Sequence, residues 1–140
     1  MLTSSGQAAN FYAVFNIATC GDHVVSASTI YGGTINGGYA GNANTDAVAG
    51  GGAIYIDGNG SSALSTLTIK GNVTISGGEA AAYGGNILAN NTTTTLEGNV
   101  VVEGGNALTG GNIRVTKAGV MDIKAGVVVK DGEATEGLRP

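Results

Sequence analysis

Cys20 and His23, with Asp22 between them, are the residues that come nearest to a nucleophilic pair in this chain. A cysteine acts as a catalytic nucleophile when a histidine lies against it and when an orienting group and an oxyanion site complete the arrangement. The local pattern indicates a simpler role, with Cys20 buried at the end of a helix and His23 at the start of a strand. With one Cys in the sequence, neither an internal disulfide nor a cysteine zinc cluster is expected.

The carboxylates that could act on a polysaccharide are scattered along the chain. Glycoside chemistry requires two carboxyl groups held close together, whereas Asp46, Asp57, Asp122 and Asp131 occupy non-equivalent positions in the repeats described below. The segment 51–57 also lacks the internal glycine of the calcium-binding Gly-Gly-x-Gly-x-Asp nonapeptide. The sequence therefore predicts neither a catalytic acid pair nor a metal site.

The run Thr92–Thr95 offers four consecutive hydroxyl groups that could bind ice or a glycan. Such binding needs a regular outward row of threonines on neighbouring structural repeats. Ser65-Thr66 and Gly119-Val120 occupy the corresponding places, so the sequence favours a polar connection that leads into a strand at Leu96.

The composition excludes several classes of protein. The 140 residues include 26 Gly, and only 11% are charged, with a formal net charge of −4. Mean hydropathy of +0.18 argues against a solvated disordered chain. Six basic residues and a pI near 4.6 argue against binding to nucleic acid. No apolar run approaches the roughly 20 residues that cross a bilayer, so membrane insertion is not expected.

Three short elements recur in the second part of the chain. Successive copies of the first element begin 33 and then 26 residues apart. Successive copies of the other two elements begin about 27 residues apart. The first comprises Gly51–Ile56, Gly84–Ala89 and Gly110–Val115; the second comprises Val73–Ala80, Val100–Ala107 and Val127–Ala134; the third comprises Leu67–Ile69, the residues around Leu96, and Met121–Ile123. A fragment of the second element, Ile35–Ala40, indicates an earlier partial repeat.

Each repeat is too small to bury its own apolar face, so it must stack on its neighbours. The sequence therefore predicts an all-β coil with three faces, in which successive repeats pair as parallel strands. Equivalent aliphatic side chains should form inward ladders, and Asn86 and Asn112 should form an amide ladder at a corner. The predicted ladders are Ile54/Ile87/Ile113, Ile69/Leu96/Ile123, Val73/Val100/Val127 and Ile75/Val102/Val129. Low charge fits this arrangement, because like charges stacked in register repel. A glycine-rich antiparallel meander or sandwich is the alternative.

Residues 35–140 resemble the right-handed parallel β-helix repeats of large bacterial surface and secreted proteins, through the pattern GGNI…V-x-I-x-G-G-x-A. The resemblance implies a short right-handed parallel β-helix, a solenoid of about three to four turns. It carries little information about activity.

Residues 1–34 form a different segment, and the boundary is predicted near Thr34–Ile35. Ser5 is a plausible N-cap and Gly21 a plausible C′ residue for an α-helix, and His23–Ser28 is predicted to be a strand. Because this helix is apolar on almost every side, other parts of the protein must cover several of its sides. Two alternatives follow from the sequence: the helix caps the open first turn of the solenoid, or it is poorly ordered.

The segment SGQAANFYAVFNIATCGDHVVSASTIYGGT resembles the cofactor-binding region of Cys/Met-metabolism enzymes that use pyridoxal phosphate (PLP), of the O-acetylhomoserine sulfhydrylase type. The resemblance implies that Gly6 and Gln7 would bind the cofactor phosphate and that Tyr31 would stack on the pyridine ring. Catalysis also needs a Schiff-base lysine and an acidic partner. The family's lysine lies in a Ser-x-Thr-Lys setting, which none of Lys70, Lys124 and Lys130 has.

The leading expectation is a non-catalytic structural or adhesin-like β-helix segment, with no catalytic residue, cofactor or metal, from a truncated or chimeric chain. One alternative is a fragment of a PLP-dependent sulfhydrylase, inactive by itself, and another is a carbohydrate-binding β-helix module. Whether the parent is an enzyme stays open. Expected partners are a glycan or further copies of the chain through the ends of the solenoid. A β-helix parent implies the cell surface or secretion, and an enzyme parent implies the cytoplasm.

Overall fold

The computed structural model describes residues 28–41, 49–58 and 65–136, which form β-strands and no helix. The strands are β1 (Ser28–Asn36), β2 (Tyr39–Ala40), β3 (Ile54–Asp57), β4 (Thr66–Ser76), β5 (Glu79–Tyr83), β6 (Ile87–Asn90), β7 (Thr93–Glu97), β8 (Val100–Glu103), β9 (Asn106–Thr109), β10 (Ile113–Thr116), β11 (Val120–Ile123), β12 (Val128–Lys130) and β13 (Glu133–Ala134). The described part of the chain is therefore all-β.

The alternation of side chains explains why these segments are strands. In β4, Leu67 and Ile69 are buried while Thr66 and Thr68 are half-buried, which is the period of two that a strand with one covered face requires. The apolar positions carry β-branched or aliphatic residues that pack well on a pleated surface. Strand β4 joins two of the predicted elements in one strand, whereas their equivalents form the separate strands β7 and β8.

The strands form three sheets, and every pairing among the named strands is parallel. The first sheet contains β1, β4, β7, β8, β11 and β12; the second contains β2, β5, β9 and β13; and the third contains β3, β6 and β10. Along the chain, the strands visit the first, second and third sheets in that order and then return to the first. The antiparallel alternative is therefore wrong for the described residues.

The registers confirm the predicted ladders. Ile87 pairs with both Ile54 and Ile113, and Leu96 pairs with both Ile69 and Ile123. Val102 likewise pairs with Ile75 on one side and with Val129 on the other. Val73 pairs with Val100, while Val127, the third member predicted there, precedes β12 and packs against the same core.

One aliphatic core lies between the first and third sheets. Ile69, Ile75, Ile87, Leu96 and Val102 are fully buried within one cluster. Each such side chain contributes roughly 1.5–3 kcal/mol by leaving water, so the ladders supply the main stabilisation. The last strands are less covered: Ile123 is 50% exposed and Val129 is 44% exposed, although their paired neighbours are buried.

Glycines let the backbone pack closely at the corners that precede β5 and β6. A Cβ atom on Gly85 would lie 2.2 Å from the carbonyl oxygen of Gly111, and one on Gly78 would lie 2.4 Å from that of Gly85. No other residue fits such an approach without moving the backbone. The corner before β6 brings Asn86 under Asn112 in the next layer.

One sequence prediction is changed by the structure. Thr93–Thr95 belong to strand β7, and Thr92 and Thr94 are fully buried, so the polar connection predicted over this run is wrong. The cause is their pairing with β4, which places Thr94 beside Leu67 on the inner side of the sheet. The boundary predicted near Thr34–Ile35 lies inside β1, which pairs with β4 on both sides of it. The predicted helix from Ser5 to Gly21 lies outside the described residues, as does His23–Ser28 except for Ser28.

Candidate functional site

The outer side of the first sheet carries rows of threonines. Seven of them share this side: Thr29, Thr34, Thr66, Thr68, Thr74, Thr93 and Thr95, called here the threonine face. Thr29 pairs with Thr68 and Thr68 with Thr95, so three hydroxyl-bearing residues lie side by side on consecutive strands. Thr34 pairs with Thr74, and Thr66 with Thr93. All seven are exposed or half-buried. The 27-residue step, applied to threonines, would have found the pairs Thr66/Thr93 and Thr68/Thr95 in the sequence, whereas Thr29 and Thr34 pair with β4 across 39 and 40 residues.

Tyr31 lies among these rows and is the most exposed large hydrophobic side chain of the described residues, at 76%. It belongs to β1, where its registered neighbour is Lys70 on β4. Its ring lies beside Gly71, close enough that a Cβ atom there would be 3.3 Å from the ring edge. Because Gly71 has no side chain and takes a φ of +83°, the ring can rest against the backbone while most of its surface faces solvent.

Asn72 and Asn99 extend the polar character of the threonine face. The side-chain amide of Asn99 donates a hydrogen bond of 2.9 Å to Asn72 Oδ1 in an exposed setting. Asn72 follows Gly71 directly on β4.

Charges collect toward the last strands of the same sheet. Lys130 on β12 forms an ion pair of 2.9 Å with Glu103 on β8, its registered neighbour. The hydrogen bond to Glu103 and the charge of that carboxylate raise the pKa of Lys130 above its ordinary value. Lys124 pairs with Asp122 in the same way, and this contact raises the pKa of Lys124. Two of the three lysines that lack the Ser-x-Thr-Lys setting are thus held by carboxylates.

The predicted amide ladder is confirmed at the buried corner. Asn86 is fully buried; its Oδ1 accepts a 2.8 Å hydrogen bond from the backbone N–H of Gly78. Its Nδ2 donates to the carbonyl oxygen of Glu103 at 2.9 Å and to Asn112 Oδ1 at 2.8 Å. Asn112 repeats this pattern one layer on, accepting from the backbone N–H of Gly105 and donating to the carbonyl of Lys130. These amides satisfy buried backbone groups and are closed to a ligand.

The described carboxylates lie in several separate parts of the fold. Asp57 accepts a hydrogen bond of 2.7 Å from the hydroxyl of Tyr55 two residues earlier. Glu79 and Glu133 lie in one row of the second sheet, separated by Asn106. Within residues 28–41, 49–58 and 65–136, no group of three or more His, Cys, Asp or Glu side chains could hold a metal ion.

The remaining predicted site residues are divided between the two parts of the chain. Gly6 and Gln7, which the PLP-enzyme resemblance assigns to the cofactor phosphate, lie outside the described residues, as do Cys20, His23 and Asp46. Tyr31 and Lys70 are neighbours on adjacent strands of an open sheet surface, a juxtaposition that the sequence did not predict. A second tyrosine, Tyr83, carries the guanidinium of Arg114 over its ring at 5.2 Å.

Together the fold and the site define a protein of parallel β-sheets around an aliphatic core, with a polar outer face. Comparison with known proteins adds no family: no family model matches the chain, and no match was found among the curated proteins or the solved structures. Among the described residues, no helix is long and apolar enough to span a membrane.

Proposed function

We propose that the chain winds as a short right-handed parallel β-helix of four coils. Three features support this winding: the uniformly parallel pairing, the cyclic order in which the strands visit the three sheets, and the shared core. The first coil holds β1 to β3, the second β4 to β6, the third β7 to β10, and the fourth β11 to β13. The second, third and fourth coils contain the predicted repeats, and the first coil begins at Ser28, ahead of the predicted repeat region.

The function that we propose for this β-helix is structural: a non-catalytic, adhesin-like segment of a bacterial surface or secreted protein. The observation that carries the proposal is the stacking of like residues in long columns, such as Ile54, Ile87 and Ile113. Such columns commit the inward residues to packing and the corner residues to backbone hydrogen bonds. The described carboxylates are dispersed or paired, which supports a role without catalysis.

Disulfide trapping tests the winding. In a Cys20→Ser background, the pairs Thr74→Cys/Val101→Cys in the first sheet and Glu79→Cys/Asn106→Cys in the second join registered neighbours. Their Cα atoms should be about 4.8 Å apart, within the roughly 4.4–6.8 Å that a disulfide bridges. Both pairs should close in one molecule without loss of stability. The matched pair Thr74→Cys/Val128→Cys is two strands apart and should stay open. Closure of this control in place of the first pair would contradict the winding.

Labelling with PLP tests the non-catalytic role against the sulfhydrylase alternative. The full chain is incubated with PLP, reduced with borohydride, and mapped by peptide mass spectrometry. Sparse labelling spread over exposed lysines is expected, unchanged in Tyr31→Ala. Stoichiometric labelling of Lys70 alone, lost in Tyr31→Ala, would overturn the proposal in favour of a cofactor site.

A further inference from the structure

The threonine face and the exposed ring of Tyr31 form a surface that the structural role leaves unused. We propose that this surface binds an uncharged polysaccharide chain, laid across the strands of the first sheet with one sugar ring against Tyr31. The inference goes beyond the structural function, and it rests on the strand pairing of the first sheet rather than on the winding of the coils.

The exposure of Tyr31 is the first observation that points to a ligand. An aromatic ring that is 76% exposed leaves a large apolar surface in water, where it gains little for the fold. Its position beside Gly71 supports the ring from the protein side. A supported aromatic ring with a polar hydroxyl tip suits a ligand that has both apolar C–H faces and hydroxyl groups. Sugar rings have both.

The threonine hydroxyls supply the hydrogen-bonding partners. Within the described residues, no side-chain hydrogen bond engages the hydroxyls of Thr29, Thr68, Thr95, Thr34 or Thr74. They repeat about every 4.8 Å across the strands, on a scale comparable to that of a sugar ring. Threonine is stiff at χ1, so the hydroxyls lose little freedom when they bind, which lowers the entropic cost of recognition.

The distribution of charge selects an uncharged ligand. On strands β1 and β4, Lys70 is the one charged residue among those described, and its registered neighbour on β7 is Glu97, so this row carries one positive and one negative charge; Glu103, Asp122 and Lys130 lie on β8, β11 and β12. The chain as a whole carries a net charge of −4, which repels a polyanion. The part of the sheet around Tyr31 is therefore complementary to neutral hydroxyl and ether groups.

Affinity electrophoresis in native gels tests the proposal, because the net negative charge makes the chain migrate toward the anode. The gels contain hydroxyethylcellulose, laminarin, galactomannan or dextran, with polygalacturonate as the anionic comparison. The variants are Tyr31→Ala, Tyr31→Phe, and Thr68→Val combined with Thr95→Val. Tyr39→Ala is the matched control, since Tyr39 is also highly exposed, at 70%, but lies on the second sheet. Thermal unfolding of each variant establishes that it is folded.

Retardation by at least one uncharged polysaccharide is expected. Tyr31→Ala should weaken it about tenfold, the scale of one aromatic contact, while Tyr31→Phe and Tyr39→Ala keep it. The double threonine variant should also weaken the retardation, whereas Tyr39→Ala should not. Absence of retardation in all four uncharged gels, retardation by polygalacturonate alone, or equal loss in Tyr31→Ala and Tyr39→Ala would each overturn the proposal. None of these results would alter the disulfide pattern that tests the winding.

Discussion

Replacing Asn86 by alanine should destabilise the protein more than any substitution of an exposed asparagine. The side chain is fully buried and makes three hydrogen bonds. After Asn86→Ala, the carbonyl oxygen of Glu103 still accepts from the N–H of Gly77, and Asn112 Oδ1 still accepts from that of Gly105. The N–H of Gly78 loses its acceptor inside the protein.

The size of the effect follows from that one orphaned donor. A buried unsatisfied N–H costs about 1–3 kcal/mol, and the space left by the amide adds about 1 kcal/mol from lost contacts. A total near 3 kcal/mol lowers the melting temperature by about 10 °C in a chain of this size. Asn99→Ala is the matched control, because it removes a similar amide pair from an exposed site and should cost less than about 0.5 kcal/mol.

Urea unfolding followed by circular dichroism measures both variants, and Asn86→Asp adds a signature that cavity formation alone would lack. The introduced carboxyl would face the carbonyl of Glu103 and Asn112 Oδ1 without a hydrogen to donate, so burial and these oxygens should raise its pKa. A folded-state pKa above the unfolded value makes the variant most stable at low pH and less stable as pH rises. Equal stabilities of Asn86→Ala and Asn99→Ala, or a flat pH profile for Asn86→Asp, would refute the reasoning.

Three further predictions concern the same layers. Gly85→Ala should prevent native folding or cost more than about 3 kcal/mol in urea unfolding, because its Cβ would lie 2.2 Å from the carbonyl oxygen of Gly111; an unchanged midpoint would contradict the close approach. Ala53→Asn should add about 1 kcal/mol, since residue 53 precedes the buried amide pair in its column and a third amide would extend it; a loss of stability would show that the corner cannot hold one. Stability should also decline slightly as pH rises above the ordinary lysine pKa of 10.5, because the raised pKa of Lys130 favours its charged, Glu103-bound form. Lys130→Gln should remove that part of the alkaline decline.

The inward half of the fold was predictable from the sequence because burial repeats with the chain. Ile87 recurs at equivalent places as Ile54 and Ile113, and the structure pairs all three. The amide ladder of Asn86 and Asn112 was predictable for the same reason: a polar residue at a fixed place in an apolar repeat needs a partner of its own kind. Each such residue pairs with the equivalent residue on the strands at both sides. The same residue type therefore recurs at a regular spacing along the sequence.

The outward half was harder to predict because solvent imposes no period on it. Thr93–Thr95 read as a polar connection, since hydroxyls are common in loops, and only the pairing with β4 makes them a strand. Tyr31 was assigned to a different segment by its resemblance to an enzyme motif. Its contact with Gly71 and its place beside Lys70 follow from long-range pairing across 39 residues, which no local pattern contains.

The same stacking rule that builds the core also governs the charges on the surface. In the described registers, no two like charges are direct neighbours: Glu103 lies beside Lys130, Lys70 lies beside Glu97, and Asn106 separates Glu79 from Glu133. Like charges directly opposite each other would destabilise the sheet, so a parallel stack admits charge only in alternation or with neutral spacers. Threonine and asparagine meet no such limit, because each can donate and accept hydrogen bonds. A surface built of them can therefore extend over several strands, and that extent is what a long uncharged ligand needs.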